Sequence, residues 1–183
     1  SFTPGGIFFT VQGTNRLDLD NNGCSSTDPY WGGLNLSIND GTTTGLVISD
    51  TSGNYSLPLQ AGNYSIKPQF ENPSYYTADS LIVSLPAANN PFVHDFCITP
   101  NGTHHDLEIS IIPLIPARPG FDATYKIVYK NKGNQPESGS FSFNYTDSVV
   151  DFVSANQAPS SQIAGLLTWN FSNLAPMQSR EVV

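Results

Sequence analysis

The sequence predicts an all-β protein built as two consecutive antiparallel β-sandwiches, one in residues 1–100 and one in residues 101–183. Three observations predict it. Apolar and polar residues alternate in short runs, with almost no helical periodicity. Val, Ile, Thr, Tyr and Phe fill those runs, while 15 Gly and 14 Pro punctuate them. About seven such runs fit into the first 100 residues or so, the strand density of a sandwich.

The elements follow in order. Residues 6–11 form the first predicted strand. Residues 34–38 alternate and then break at Asn39-Asp40-Gly41, a strong turn signal. Residues 44–48 follow. Ser52-Gly53-Asn54 turns the chain into 55–59, and Ala61-Gly62 turns it into 63–68. Residues 81–85 and 92–98 complete the first set. Thr99-Pro100-Asn101-Gly102-Thr103 reads as a boundary, because Pro and Asn-Gly stop a strand and open a turn. The short linker predicts modules that touch as a semi-rigid rod. The second set of strands is 106–112, 123–130, 139–145, 149–153 and 166–171, with 180–183 reading as the start of another. In 139–145, Phe141, Phe143 and Tyr145 fall on one face, with Ser142 and Asn144 on the other. The chain reads as a piece of a longer processed polypeptide, with no targeting segment of its own.

Charge narrows the partners. The formal net charge is −8, with residues 1–100 carrying 8 acids and 2 bases and residues 101–183 carrying 7 acids and 5 bases. No basic stripe exists, which argues against nucleic acid and anionic lipid. No apolar run reaches the 18 or so residues of a membrane helix. An acidic chain attracts cations.

The sharpest candidate site is Asp18-Leu19-Asp20-Asn21-Asn22-Gly23-Cys24. Side-chain oxygens at positions 1, 3 and 5, with Gly at 6, are the pattern of a Ca²⁺ loop. Alternate side chains turn inward on one cation and Gly permits the sharp turn. Position 12 is Pro29, not Glu, so the bidentate ligand must be replaced, and Asp28 is the candidate. The expected ligands are Asp18, Asp20, Asn22 and Asp28. The other reading is a polar turn whose Asx residues cap their own backbone.

The two cysteines, Cys24 and Cys97, lie in the first module. In an exported protein such a pair closes a disulfide; buried free thiols are the alternative. Tyr30-Trp31 and Tyr75-Tyr76 are adjacent aromatics that cannot both face one core from a strand. One of each pair could stack on a sugar ring, or both could plug the ends of the sandwich. His104-His105-Asp106 offers too few zinc ligands at usable spacing and reads as exposed linker. No Gly-x-Ser-x-Gly elbow occurs, and catalysis is not expected.

Two resemblances rest on longer motifs. The opening Gly6-Ile7-Phe8-Phe9, the loop Asp18 to Gly23, Asp50-Thr51-Ser52-Gly53-Asn54-Tyr55 and Leu59-Gln60-Ala61-Gly62-Asn63-Tyr64 carry the first. On them, residues 1–98 resemble the carboxypeptidase-regulatory and transthyretin-like group of bacterial surface sandwiches, including Cna protein B-type repeats. The resemblance implies calcium at Asp18, Asp20 and Asn22. The Lys–Asn isopeptide bond of some members is not implied, since the first strand has no Lys and Lys67 is alone before Lys126. Residues 119–133, 151–155 and 167–176 carry the second: residues 101–183 resemble the immunoglobulin-like repeat of bacterial adhesins. The wording of Ile98-Thr99-Pro100-Asn101-Gly102-Thr103 and Ala117-Arg118-Pro119-Gly120-Phe121 is similar to large surface proteins of Flavobacterium-type Bacteroidota exported by type IX secretion. That resemblance implies further strands after Val183 and O-glycosylation at Asp79-Ser80-Leu81 and Asp147-Ser148-Val149, with Ser80 and Ser148 as acceptors; chance is the other source of so short a motif.

Together these readings predict a non-catalytic stalk, spacer or adhesin module of an extracellular surface protein, stabilised by Ca²⁺ and a disulfide. The expected partners are neighbouring domains of the same polypeptide, with surface glycans or other copies of the chain as alternatives. A carbohydrate-binding module and an accessory domain of a secreted hydrolase are the competing functions.

Overall fold

The computed structural model describes residues 6–183. Residues 1–5, with which the first predicted module begins, lie outside the described residues. Those described form fifteen strands and no helix, so no helix is long and apolar enough to cross a membrane. The chain divides into two compact units, 1–102 and 103–183.

Unit 1 holds β1 (Phe9–Leu17), β2 (Asn35–Asn39), β3 (Thr44–Ile48), β4 (Asn54–Leu59), β5 (Gly62–Gln69), β6 (Tyr76–Ala78), β7 (Leu81–Leu85), β8 (Phe92–Val93) and β9 (Phe96–Pro100). One sheet runs β4-β1-β9-β6, with β8 beside β1; the other runs β3-β2-β5-β7. Antiparallel pairing prevails, as predicted, but β1 pairs in parallel with both β8 and β9. Between β1 and β8 the chain builds all four strands of the second sheet together with β4 and β6 of the first, and so long a connection is what parallel neighbours require. The core comes from both sheets: Val11, Leu57, Phe96 and Ile98 from one, Leu36, Ile66, Val83 and Leu85 from the other. Strand β7 shows the alternation that specifies register. Leu81, Val83 and Leu85 point inward, while Ile82 points out. Pro58 sits on the edge strand β4, where a missing N–H costs little.

Two glycines are required by close approach. A Cβ on Gly13 would lie 1.7 Å from the His94 carbonyl oxygen, so β1 could not carry a side chain there. Gly53, at φ +77°, brings its turn against the Asn15 carbonyl, where a Cβ would lie at 2.8 Å.

Unit 2 holds β10 (Leu107–Ile115), β11 (Thr124–Asn131), β12 (Glu137–Asn144), β13 (Ser161–Ile163), β14 (Leu166–Leu174) and β15 (Ser179–Val182). Its sheets are β10-β11-β15 and β12-β14-β13. They meet through aromatic pairs, with Tyr129 of β11 lying 4.9 Å from Phe141 of β12 and 5.4 Å from Phe171 of β14, centroid to centroid. Ile127, Tyr129, Leu167, Trp169, Leu174 and Val182 form the buried centre. The Trp169 indole donates to the Gln157 carbonyl at 2.9 Å, satisfying its one polar atom.

Several elements differ from the prediction: the strand expected over 92–98 is split into β8 and β9, and β13 falls where no strand was expected. The first strand begins later and runs on to Leu17, because its second half is polar on the outer side and carries Gly13 and Asn15 on the inner. Tyr76–Ala78 is a strand that the sequence reading placed in a loop. Residues 149–153 form no strand. The N–H groups of Val149 and Val150 both donate to the Thr146 carbonyl, closing a turn around Asp147 and Ser148. From there the chain crosses to β13 with Phe152 packed on the core and Val149 and Val153 in solvent.

Candidate metal centre

The loop after β1 starts from a fixed point. The Leu17 N–H donates to the Pro29 carbonyl at 2.9 Å and the Asp18 N–H to the Ile98 carbonyl at 2.8 Å, so both ends of the loop and β9 meet at one place. Residues 18–29 must then close a tight circuit. Asn21 and Gly23 turn it in the left-handed region, at φ +57° and +94°. An Asn tolerates that region better than most residues and Gly adopts it freely.

Asp18 is the keystone. Its side chain is buried, and both carboxylate oxygens take backbone donors, Oδ1 from Asn22 N–H at 3.1 Å and Oδ2 from Gly23 N–H at 3.0 Å. Asp20 is exposed; its Oδ1 accepts from Asn22 N–H at 3.3 Å and its Oδ2 from the Asn22 side-chain amide at 2.6 Å. Asp28 Oδ2 accepts from the Ser25 N–H at 2.6 Å and the Ser25 hydroxyl at 3.0 Å. These bonds are those of an Asx-capped turn. They also aim the carboxylates. One oxygen each from Asp18, Asp20 and Asp28 lies within 4.8 Å of the others. Calcium–oxygen distances of about 2.3–2.6 Å put the ligands of one ion at such separations. The donor set, hard carboxylate oxygens, suits Ca²⁺ chemically.

Among the described residues no Lys or Arg forms an ion pair with any of the three. The nearby cation is turned elsewhere. Arg16 donates to the carbonyls of Asp28, at 2.8 Å, and Ser26, at 3.4 Å, and to the Tyr30 hydroxyl at 2.8 Å. Its guanidinium also lies 4.1 Å from the Tyr30 ring centroid. Arg16 thus holds the returning half of the loop and spends its donors on carbonyls. Sequence reasoning passed over it; the signal was one of two bases among the acids of residues 1–100, two positions before the loop. Asn22 stands inside the cluster but presents its amide nitrogen to Asp20, so its oxygen reaches the centre only after the amide turns over. Asp40, farther along, takes no part. It accepts from the N–H groups and hydroxyls of Thr42 and Thr43, which hold its carboxyl well below the usual carboxylate range.

The loop is covalently tied. Cys24 and Cys97 form a disulfide with Cα atoms 5.5 Å apart, and no free cysteine remains. It joins the residue after Gly23 to β9, the strand that already anchors Asp18.

The aromatic pairs are split by the alternation that the sequence implied. Trp31 and Tyr76 are core residues, their rings 4.7 Å apart edge to face, with Phe70 against both. Burial pushes the Tyr76 phenol up to about 12. Neither Trp31 nor Tyr76 is available to a surface ligand, so of the four candidate sugar-binding aromatics only Tyr30 and Tyr75 reach the surface. Tyr30 is exposed under Arg16, and Tyr75 is half-buried in its turn. Ser80 and Ser148 are both exposed outside the strands. His105 is exposed and its Nδ1 lies 2.5 Å from Glu137 Oε1, so it is engaged with the start of β12.

No family model matches this chain, and no curated protein does. Several solved structures are similar in part. A DUF3823 family protein from Parabacteroides merdae shares 11% identity over 97% of this chain and 80% of its own, with a TM-score of 0.43. The shaft pilin spaA from Lactobacillus rhamnosus GG shares 12% identity over 55% of this chain, with a TM-score of 0.41, and the match spans about half of the pilin's length, 54%. The chain also spans 57% of the fimbrial protein FimP from Actonomyces oris, at 12% identity and a TM-score of 0.37. At such scores none of these proteins assigns a role to this chain.

Proposed function

We propose that this chain is a non-catalytic structural module, a stalk or spacer segment of a protein working outside the cell. The observation that carries the reading is the Cys24–Cys97 disulfide. It closes a loop of 73 residues across unit 1, and such bridges persist in oxidising compartments. It sits where a structural tie is most useful, between the Asp-rich loop and the central strand β9. On this reading the loop takes up Ca²⁺ through Asp18, Asp20 and Asp28, with Asn22 as a further oxygen donor. The bound ion cross-links the three carboxylates and offsets most of their charge, and the loop becomes stiff. Export by type IX secretion, the Bacteroidota origin, the immunoglobulin-like assignment of unit 2, glycosylation at Ser80 and Ser148, and neighbouring domains as partners belong to the same reading and rest on sequence resemblance.

The test is made on the producing cells. Intact cells are treated with a membrane-impermeant amine label and the thiols are trapped before lysis. The proposal expects Lys67 and the unit 2 lysines to be labelled and Cys24 and Cys97 to be found bridged. A protein protected from the label and carrying two reduced thiols would sink it.

A further inference from the structure

We propose that a second copy of this chain docks along β10, forming a two-fold pair of antiparallel edge strands centred on Ser110. The observation is an end strand that is apolar and open. In its sheet β10 pairs only with β11, so one of its edges has no partner strand among the described residues. Six of its nine residues are Leu or Ile, and each of Leu107, Ile109, Ile111, Ile112, Leu114 and Ile115 is 44–55% exposed. Edge strands are ordinarily blunted by charge, because an open edge templates further pairing. Here the single charged residue is Glu108, and Lys132 already engages it at 3.0 Å. The edge is therefore neutral on a chain of net charge −8, so two copies can meet along it without strong repulsion.

The register of β10 makes it self-complementary. Ile109 and Ile111 lie across from Tyr129 and Ile127, so they share the face of the sheet that forms the core. That face simply continues onto β10 and is left half open. A bulge between Pro113 and Ile115 ends the regular ladder, which leaves Leu107 to Pro113 as the straight segment, with Ser110 at its middle. A two-fold axis there sets Ile109 against the second copy's Ile111 on the core face and Leu107 against Pro113. On the other face Glu108 meets Ile112 and the two Ser110 hydroxyls meet each other. No like charges oppose and no side chain changes face, which is the condition for a closed isologous contact. Four of those side chains, Leu107, Ile109, Ile111 and Ile112, fall inside the paired segment, each about half exposed, so the contact is of the small, weakly associating class.

The experiment uses the whole 183-residue chain. Sedimentation across a concentration series should show a monomer–dimer equilibrium. Ile111→Lys, at an exposed position, should raise its dissociation constant by more than about tenfold while leaving the near-UV spectrum unchanged. Under mild oxidation, Ser110→Cys should form a copy-to-copy disulfide, whereas Ser140→Cys, an exposed serine on β12, should not. A chain that stays monomeric at every concentration would overturn the proposal and leave the edge to a strand from elsewhere. A dimer indifferent to Ile111→Lys that fails to cross-link at Ser110 would also overturn it, by placing association on another surface.

Discussion

Asn15 in unit 1 and Asn131 in unit 2 are both completely buried, and the two are treated in opposite ways. In unit 2, Asn131 is fully used: its amide donates to the carbonyls of Gln135 and Leu174 at 2.7 and 2.8 Å, and its oxygen accepts from Gly133 N–H at 2.9 Å. In unit 1, Asn15 is equally buried, yet neither its Nδ2 nor its Oδ1 finds a hydrogen-bond partner. Unit 2 has no covalent tie, and Asn131 pins the end of β11 to the end of β14. Unit 1 has the disulfide between Cys24 and Cys97 and a loop that both Asp18 and Arg16 fasten. The comparison teaches where each unit keeps its specificity. Unit 2 relies on a buried polar network, and unit 1 on covalent and electrostatic fastening around one loop, which leaves it able to carry an unsatisfied polar group inside.

This difference can be broken experimentally, and the largest effect is expected at the staple. Replacing both Cys24 and Cys97 by Ser should cost unit 1 about 4 kcal/mol in the chain-entropy account of a 73-residue loop. Calorimetry should show the unit 1 transition fall while that of unit 2 stays. Next is Asn131→Leu. It takes the amide donors away from the Gln135 and Leu174 carbonyls, so unit 2 should lose about 2 kcal/mol, read from its denaturation midpoint. Asn15→Leu should act in the other direction. Removing two unpaired polar atoms without changing side-chain size much should stabilise unit 1 by about 1 kcal/mol. A loss there would mean that Asn15 is satisfied after all, and the contrast between the asparagines would fall. The smallest effect is alkaline. Burial raises the phenols of Tyr55 and Tyr76, the latter to about 12 from an ordinary 10.0. A raised folded-state value means that unfolded chains lose the proton first, so the stability these groups contribute is whole below pH 10 and declines above it. The phenolate absorbance of Tyr55 and Tyr76, taken as the difference between the chain and its Tyr55→Phe and Tyr76→Phe variants, should therefore appear together with the unfolding of unit 1, not before it.

Much of this was legible from residue patterns. Alternation set Phe141, Phe143 and Tyr145 on one face, and all three pack against the unit 2 core. The Pro100-Asn101-Gly102 break fell where the two units separate. What escaped was whatever pairing decides and pattern does not. The second half of β1 reads as polar, since its inward positions include Gly13, emptied for the His94 carbonyl, and Asn15. Residues 149–153 look like a strand by composition, but the turn at Thr146 directs them away from any edge. At the candidate site, the spacing of Asp18, Asp20 and Asp28 was visible because loop ligands are local in sequence. Arg16 was not, because its partners are backbone carbonyls, which every sequence possesses. Nor could composition say which member of Tyr30-Trp31 and of Tyr75-Tyr76 is buried, since that depends on strand phase.

The most direct measurement is a calorimetric calcium titration of the oxidised chain, with a chelator-treated sample beside it and Asp18→Asn as the control. The account predicts that calcium raises the unit 1 transition, leaves unit 2 where it was, and does nothing to Asp18→Asn. A unit 1 transition that ignores calcium, or a rise shared equally by both units and by the variant, would contradict it and return residues 18–28 to the role of a self-capped turn.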